Sequence, residues 1–303
     1  MKAKVLLLIT VLCACASEAR SLPAEEDIAK LKKAAEAGDA KSQYNLGWMY
    51  LHGQGVTRDA KQGTDWLRKA AEQGLAAAQY NMGVACDSGE GVRQDPLEAV
   101  EWYRKAGEKG HAVAQNNLGL KYIKGDGVRL DPELGVGWFR KGAEQGFAPA
   151  EYNLGTACLK GLGTKQDLGE AAKWIRKSAE HEYADAQWSL GSLYADGEGV
   201  AKSPEEAVKW YQRAADQGFP PGQFSLGIAY AKGQGVTKDQ TVAYKWLTLA
   251  AKGGLHEAAQ YQADVAMGLK PTEILDIVPA CRNFKPQPTV FEYEGTSVLV
   301  TRP

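Results

Sequence analysis

The chain has 303 residues, 44% of them hydrophobic and 24% charged, a globular balance that excludes both a disordered acidic chain and a bundle of membrane spans. Thirty-six Lys and Arg against 37 Asp and Glu leave a formal charge of −1. That excludes nucleic acid as a general partner, because neutralising phosphates takes a basic surplus. The 34 glycines and eight tryptophans suggest one turn and one core anchor used many times over.

Residues 1–16 read as a secretory leader. Lys2 and Lys4 supply the positive start, Val5 to Ala16 is an apolar run, and Ala14-Cys15-Ala16 offers small residues at a cleavage point before Ser17. The run is shorter than the ~20 residues that span a bilayer, and no later segment is apolar enough to do so. The expected location is therefore periplasmic or secreted, with no membrane span. A competing reading is that Leu12-Cys13-Ala14-Cys15 is similar to a bacterial lipobox, which would place a lipid anchor on Cys15; Cys13 is an odd residue inside such a box. Cleavage at Ala16 leaves Cys86, Cys158 and Cys281. An odd count leaves at least one thiol free, and these three are expected to be small buried residues.

Beyond the leader, Gly38, Gly74, Gly110, Gly146, Gly218 and Gly254 stand on a 36-residue grid, with Glu182 in the one gap. The same text recurs in every unit. It includes Leu46-Gly47, Met82-Gly83 and Leu118-Gly119, the loops Gly53-Gln54-Gly55 and Gly89-Glu90-Gly91, and Trp66, Trp102, Trp138, Trp174, Trp210 and Trp246. A period of this size means a solenoid or an array. Each unit reads as a helical hairpin. The first helix runs from about Ala40 to His52 and stops at Gly53, where a residue free to take positive φ suits the helix end. Gly55 permits a second bend. The second helix opens on capping chemistry such as Asp95-Pro96-Leu97-Glu98 or Ser203-Pro204-Glu205-Glu206, and its Trp reads as a core anchor.

The boundaries follow. Residues 17–38 form a linker and a half-repeat capping helix, with Lys30 on the Trp position as suits an exposed end. Six repeats occupy 39–74, 75–110, 111–146, 147–182, 183–218 and 219–254. Capping helices occupy 255–284, with Leu255 to Met267 as a last first-type helix and Pro271 to Val278 as a terminal cap. Residues 285–303 are a Pro-containing linker and extended tail. There, Thr289 to Tyr293 and Thr296 to Val300 have strand composition around Glu294-Gly295. They read as a small β-hairpin or a disordered tail, or else as an arm that crosses the solenoid groove or adds a strand to a partner.

Gln43-Tyr44-Asn45-Leu46-Gly47, Gly53-Gln54-Gly55-Val56 and Trp66-Leu67-Arg68-Lys69-Ala70-Ala71-Glu72-Gln73-Gly74 together resemble the Sel-one-like repeat family, relatives of the tetratricopeptide repeats. The resemblance covers residues 39–254. It implies an all-α fold, a right-handed α/α superhelical solenoid of six helix hairpins with terminal capping helices, that binds another protein on its concave face.

Catalytic signatures are not found in the sequence. The third glycine of a G-x-G-x-x-G is replaced by Arg58, Gln94, Leu130, Gln166, Lys202 or Lys238, and no G-K-[ST] follows, so dinucleotide and P-loop readings fail. His52, His111, His181 and His256 sit at different places in their units, and no H-E-x-x-H, paired-Cys metal signature, G-x-S-x-G or S-x-x-K occurs. No cofactor or metal is implied. Some cysteine-rich members of the family are β-lactamases or penicillin binders, but neither their paired cysteines nor a serine–lysine motif is present here. Lys69, Lys105, Lys141 and Lys177 are expected to pair with Glu72, Glu108, Glu144 and Glu180 on a solvated helical face.

The binding candidates line the first helices. One column is Asn45, Asn81, Asn117 and Asn153, continued by Ser189 and Ser225. It would either hydrogen-bond adjacent repeats or, as such residues do in related tetratricopeptide repeats, grip a ligand's main chain. Three residues on come Trp48, Val84, Leu120, Thr156, Ser192 and Ile228, a column whose chemistry changes from unit to unit. One turn further lie His52, Ser88, Lys124, Lys160, Asp196 and Lys232. The expected role is a non-enzymatic scaffold for a protein partner. The family includes immunity proteins that block toxic lipases in the periplasm, and it also includes adaptors for secretion, polysaccharide or peptidoglycan systems. A cell-wall or β-lactam hydrolase is the rival from another class.

Overall fold

A computed structural model describes residues 25–286, 290–293 and 296–299. The leader, its cleavage point and the lipobox reading at Cys15 lie outside the described residues. These residues form fifteen helices and one two-stranded hairpin, in two compact units. The first unit holds residues 25–157 with 161–165, and the second holds 158–160 and the chain from 166 onward.

In the first unit, α1 (Glu25–Glu36) precedes three hairpins. They are α2 (Ala40–His52) with α3 (Ala60–Glu72), α4 (Ala76–Ser88) with α5 (Pro96–Glu108), and α6 (Ala112–Lys124) with α7 (Pro132–Glu144). The division falls inside α8 (Ala148–Lys160). The second unit begins with α9 (Leu168–Glu180). The hairpins α10 (Ala184–Asp196) with α11 (Pro204–Asp216) and α12 (Pro220–Lys232) with α13 (Gln240–Lys252) follow, then α14 (His256–Ala266) and α15 (Pro271–Asn283). Strands β1 (Val290–Tyr293) and β2 (Thr296–Leu299) pair antiparallel, Val290 opposite Leu299.

Local chemistry sets these bounds. The side chains of Asp59, Asp95, Asp131, Asp167, Ser203 and Asp239 each accept a backbone N–H from the first turn of the second helix that follows, satisfying donors that have no intrahelical partner. Glu98 departs from the expected reciprocal cap. Its carboxylate accepts instead from Arg68 at 2.6 Å and from the Trp102 indole at 3.1 Å.

Within a hairpin, Leu46, Met82 and Leu118 of the first helices and Leu67 and Tyr103 of the second are almost fully buried. The glycine after each first-helix core residue lets the helices close. A Cβ on Gly83 would stand 2.6 Å from the Tyr103 ring. Between hairpins the loop does more than turn. Gly127 has φ +72°, and a Cβ there would lie 2.2 Å from the Pro96 carbonyl oxygen in the preceding repeat. The loop therefore rests directly on the opening turn of the previous second helix. Glutamines complete the joint: Gln79 donates to Ala71 O (3.1 Å), Gln115 to Gly107 O (2.8 Å) and, in the second unit, Gln187 to Ala179 O and Gln223 to Ala215 O (both 3.2 Å). Each adds a second donor to a last-turn carbonyl that already accepts the backbone N–H three residues on, tying the next first helix to the end of the preceding second one.

Trp102, Trp138, Trp174, Trp210 and Trp246 are buried, and Trp66 is half-buried. Lys69, Lys105, Lys141 and Lys177 lie over the indole faces three residues earlier, 3.8–4.2 Å from the ring centroids. The spacing had suggested ion pairs with glutamate. An indole face one turn back is an equally near and less hydrated site for an ammonium.

Lys30 is exposed at the start and pairs with Glu26 at 2.8 Å. At the other end, α15 runs through Pro279 to Asn283 instead of stopping at Val278. The hydrogen bond that proline removes is offset by packing: Ile277 and Cys281 are buried against the second-unit core, and Phe284 meets Trp246 edge to face at 5.9 Å. Cys86, Cys158 and Cys281 are buried thiols.

His111 caps α6. Its Nδ1 accepts from Ala114 N at 3.2 Å, and its ring stacks on Tyr80 at 4.7 Å. Burial pushes its pKa down to about 4, so in the folded chain it stays neutral where a free histidine would protonate.

Two predictions follow from these contacts. Gly110→Ala meets only the left-handed backbone penalty, since φ is +90° with nothing within 4 Å, and should cost about 1 kcal/mol. Gly127→Ala should cost at least about 1 kcal/mol more, because backbone must move, as read by chemical denaturation of both variants. Stability should also fall as pH drops from about 6.5 toward 4, because the unfolded chain binds the His111 proton first; the loss is at most about 3 kcal/mol. His111→Asn keeps a capping side chain and should remove that share of the pH slope in urea titrations.

Candidate partner-binding surface

A first helix buries its Leu-Gly stripe and leaves another stripe open to solvent. In the first unit this stripe carries Asn45, exposed, with Asn81, Asn117 and Asn153 half-buried. Trp48, Val84, Leu120 and Thr156 are half-buried, and His52 and Lys124 are exposed. Lys160 and Lys232 are exposed at the corresponding positions of the second unit. Trp48 and His52 form a stacked pair with ring centroids 4.2 Å apart, and His52 Nδ1 lies 2.9 Å from Trp48 O.

The asparagine column links repeats. Asn81 Nδ2 donates to Tyr44 Oη at 3.3 Å, and Asn153 Nδ2 to Asn116 Oδ1 at 2.8 Å. In the second unit the same step is made by Trp188 Nε1 donating to Ser225 Oγ at 3.0 Å. These bonds bring into view a column the sequence reading passed over, the residue before each Asn or Ser: Tyr44, Tyr80, Asn116, Tyr152, Trp188 and Phe224. Tyr80 is buried, but the other aromatics keep part of their surface open. Phe224 meets the exposed Tyr261 edge to face at 5.3 Å. Five aromatics in six grid positions are the signal of this column in the sequence.

Repeat three adds a charged cluster. Lys121 Nζ donates to Asp87 Oδ1 and, at 2.8 Å, to Asp126 Oδ2, while Tyr103 Oη donates to Asp87 Oδ2 at 3.0 Å. Burial, then the Asp87 charge, raises the Tyr103 phenol well above its ordinary value. The Lys121 side chain is only 10% exposed. The same step one repeat earlier places Leu51 and Ala85 at the two corresponding positions, so the fold itself does not require the pair. Lys121→Met alone should cost about 2 kcal/mol, because the partly exposed Asp87 loses its cation and keeps only its Tyr103 partner. Lys121→Met with Asp87→Leu should recover most of that loss, in a double-mutant cycle by thermal melting.

Among the described residues no group of three His, Cys, Asp or Glu side chains is placed to hold a metal ion, and no helix is long and apolar enough to cross a membrane.

The Sel1 repeat model matches at residues 40–75, 76–111, 112–147, 148–183, 184–219 and 220–255. A search of curated protein sequences finds no match. Among solved structures, c5321, a protective antigen of uropathogenic Escherichia coli with an SLR fold, is 36% identical with a TM-score of 0.77. The alignment covers 84% of this chain and 56% of that one, so this chain spans little more than half of its length. A Sel1 repeat protein from Oxalobacter formigenes is 35% identical, TM-score 0.72, over 78% of this chain and 68% of its own. Immunity protein Pa5087 of Pseudomonas aeruginosa is 20% identical, TM-score 0.45, over 70% and 81%, a distance at which likeness carries no functional inference. With the family model matched six times over residues 40–255, the chain belongs to the Sel1 repeat family, whose helical solenoids are protein-interaction scaffolds.

Proposed function

We propose that this chain is a non-enzymatic scaffold of the bacterial envelope that holds one protein on its first-helix face. In its specific form the partner is a toxic lipase- or phospholipase-class enzyme, silenced by occlusion. The observation that carries protein binding is the contrast between two columns of the first unit. Leu46, Met82, Leu118 and Leu154 are fully buried and nearly constant, as one core slot demands. Trp48, Val84, Leu120 and Thr156, two residues on, are half-buried and pass from an indole through aliphatic side chains to a hydroxyl. A packing slot repeats, whereas a surface fitted to a partner need not. Trp48, stacked on His52, is the natural anchor, since a wide aromatic surface contributes much at little entropic cost.

The inhibitor form is supported by economy, because occluding an enzyme asks for a rigid surface and no chemistry. The leader read at residues 1–16 would deliver that surface to the periplasm. A pull-down from envelope extract with residues 17–303, followed by mass spectrometry, tests both parts. One enzyme recovered at equal stoichiometry and inactive on mixing is the expected result. Structural envelope components without an enzyme would replace inhibition by an adaptor role. Trp48→Ala, and Asn117→Ala with Lys124→Ala, should each weaken the captured partner about tenfold or more. Their melting temperatures should move less than that of Leu118→Ala. Normal binding by both variants would move the site elsewhere.

A further inference from the structure

Six copies of one hairpin allow each position to be compared with its counterparts in the same chain. Around α5 and α7 of the first unit, several residues depart from that pattern without benefit to the fold. Leu97 is 69% exposed, Leu130 58% and Leu134 42%. The counterparts of Leu97 are Lys61, Glu133, Gly169, Glu205 and Thr241, and those of Leu130 are Arg58, Gln94, Gln166, Lys202 and Lys238. No other repeat needs an aliphatic side chain at either place. Leu134 replaces a residue with a task, since Glu98 and Glu170, its counterparts on either side, each accept a tryptophan indole N–H, at 3.1 and 2.7 Å. One turn on, Gly137 stands exposed in the interior of α7, where an added Cβ would meet nothing within 4 Å. A helix-interior glycine costs about 1 kcal/mol against alanine, and no neighbour requires this one. Its counterparts are Asp65, Glu101, Lys173, Lys209 and Lys245.

Leu97, Leu130 and the start of α7 line one open hollow of about 700 Å³; Leu134 follows directly on Glu133 of that lining, and Gly137 lies one turn beyond Glu133 along α7. The charged rim of the hollow is Glu101, Asp131 and Glu133 against Arg129. Arg104 pairs with Glu101 at 2.7 Å, and the balance stays negative with it counted. We propose that this edge is a second docking surface, separate from the first-helix face, and that it takes an amphipathic helix of another protein whose aliphatic face is flanked by lysine or arginine. The leucines supply apolar area that the fold leaves uncovered. Gly137 leaves a bare ridge against which a second helix can close. The acidic rim selects the sign of the flanking charge.

The test uses residues 17–303 and two fluorescein-labelled designed helical peptides with the same leucine face, one flanked by lysines and one by glutamates. The lysine peptide should bind about tenfold or more tightly than its twin, by anisotropy. Leu97→Lys with Leu134→Glu restores what repeats one and two carry at those positions. It should weaken the lysine peptide by about tenfold or more and leave the melting temperature unchanged or higher. Trp48→Ala should leave peptide binding intact. Equal binding of both peptides, an indifferent double variant, or a lowered melting temperature would each overturn the proposal. So would loss of binding in Trp48→Ala, which would move the peptide to the first-helix face. Sedimentation across a concentration series covers the remaining occupant: a dimer abolished by the double variant would assign the edge to a second copy of this chain and overturn the heterologous helix.

Discussion

Each unit depends on a contact that has no side chain on one of its two sides. The second glycine of an interhelical loop lies against a carbonyl at the start of the preceding second helix, 2.1 Å from a hypothetical Cβ at Gly91, 2.2 Å at Gly127 and 2.0 Å at Gly199. Because backbone meets backbone, the spacing between repeats does not vary with the side chains around it. The remaining regularities follow from that fixed spacing. Gln79, Gln115, Gln187 and Gln223 can reach the same last-turn carbonyl, an aromatic can lie on the same bare helix face, and Asn81 and Asn153 can each reach back to the repeat before.

That rigidity explains why the architecture could be read so far from the sequence. Helix starts at Asp95 and Ser203, helix ends at Gly53 and Gly89, and the burial of the tryptophan column are short-range consequences of residue type. They repeat, so an error in one unit would conflict with five others. The misreadings fall where two local options compete. Lys69 had both Glu72 and the Trp66 face within one turn, and spacing alone does not say which is less hydrated. Glu98 had its own cap and two donors, Arg68 and Trp102, of which one comes from another repeat and so is invisible to a local motif. The terminal cap is longer than Pro271 to Val278 because Ile277 and Cys281, buried on either side of Pro279, hold α15 together across it.

The surface was less readable for a related reason. Periodicity exposes what the fold repeats, whereas recognition resides in what it does not. The Trp48 column stands out as the proposed surface because it breaks the pattern beside a strict one. The aromatic column of Tyr44 and Trp188 was hidden because it is nearly periodic and therefore resembles core. Lys121 and Asp87 illustrate a third case: each is ordinary alone, and only the three-dimensional neighbourhood shows a charge pair standing where the preceding step has Leu51 and Ala85.

Helix α7 holds Gly135, Gly137 and Gly142 within thirteen residues. Three interior glycines forgo roughly 3 kcal/mol of helix propensity relative to alanine, so α7 persists through the neighbours that pack on it. Local opening therefore begins there more readily than in α5 or α9, which have the same length and fewer glycines. The edge with the most uncovered leucine is thus built on a helix that opens more readily than its neighbour α5. A ligand laid along it would register first as slowed amide exchange in a single helix, well before any change in overall melting.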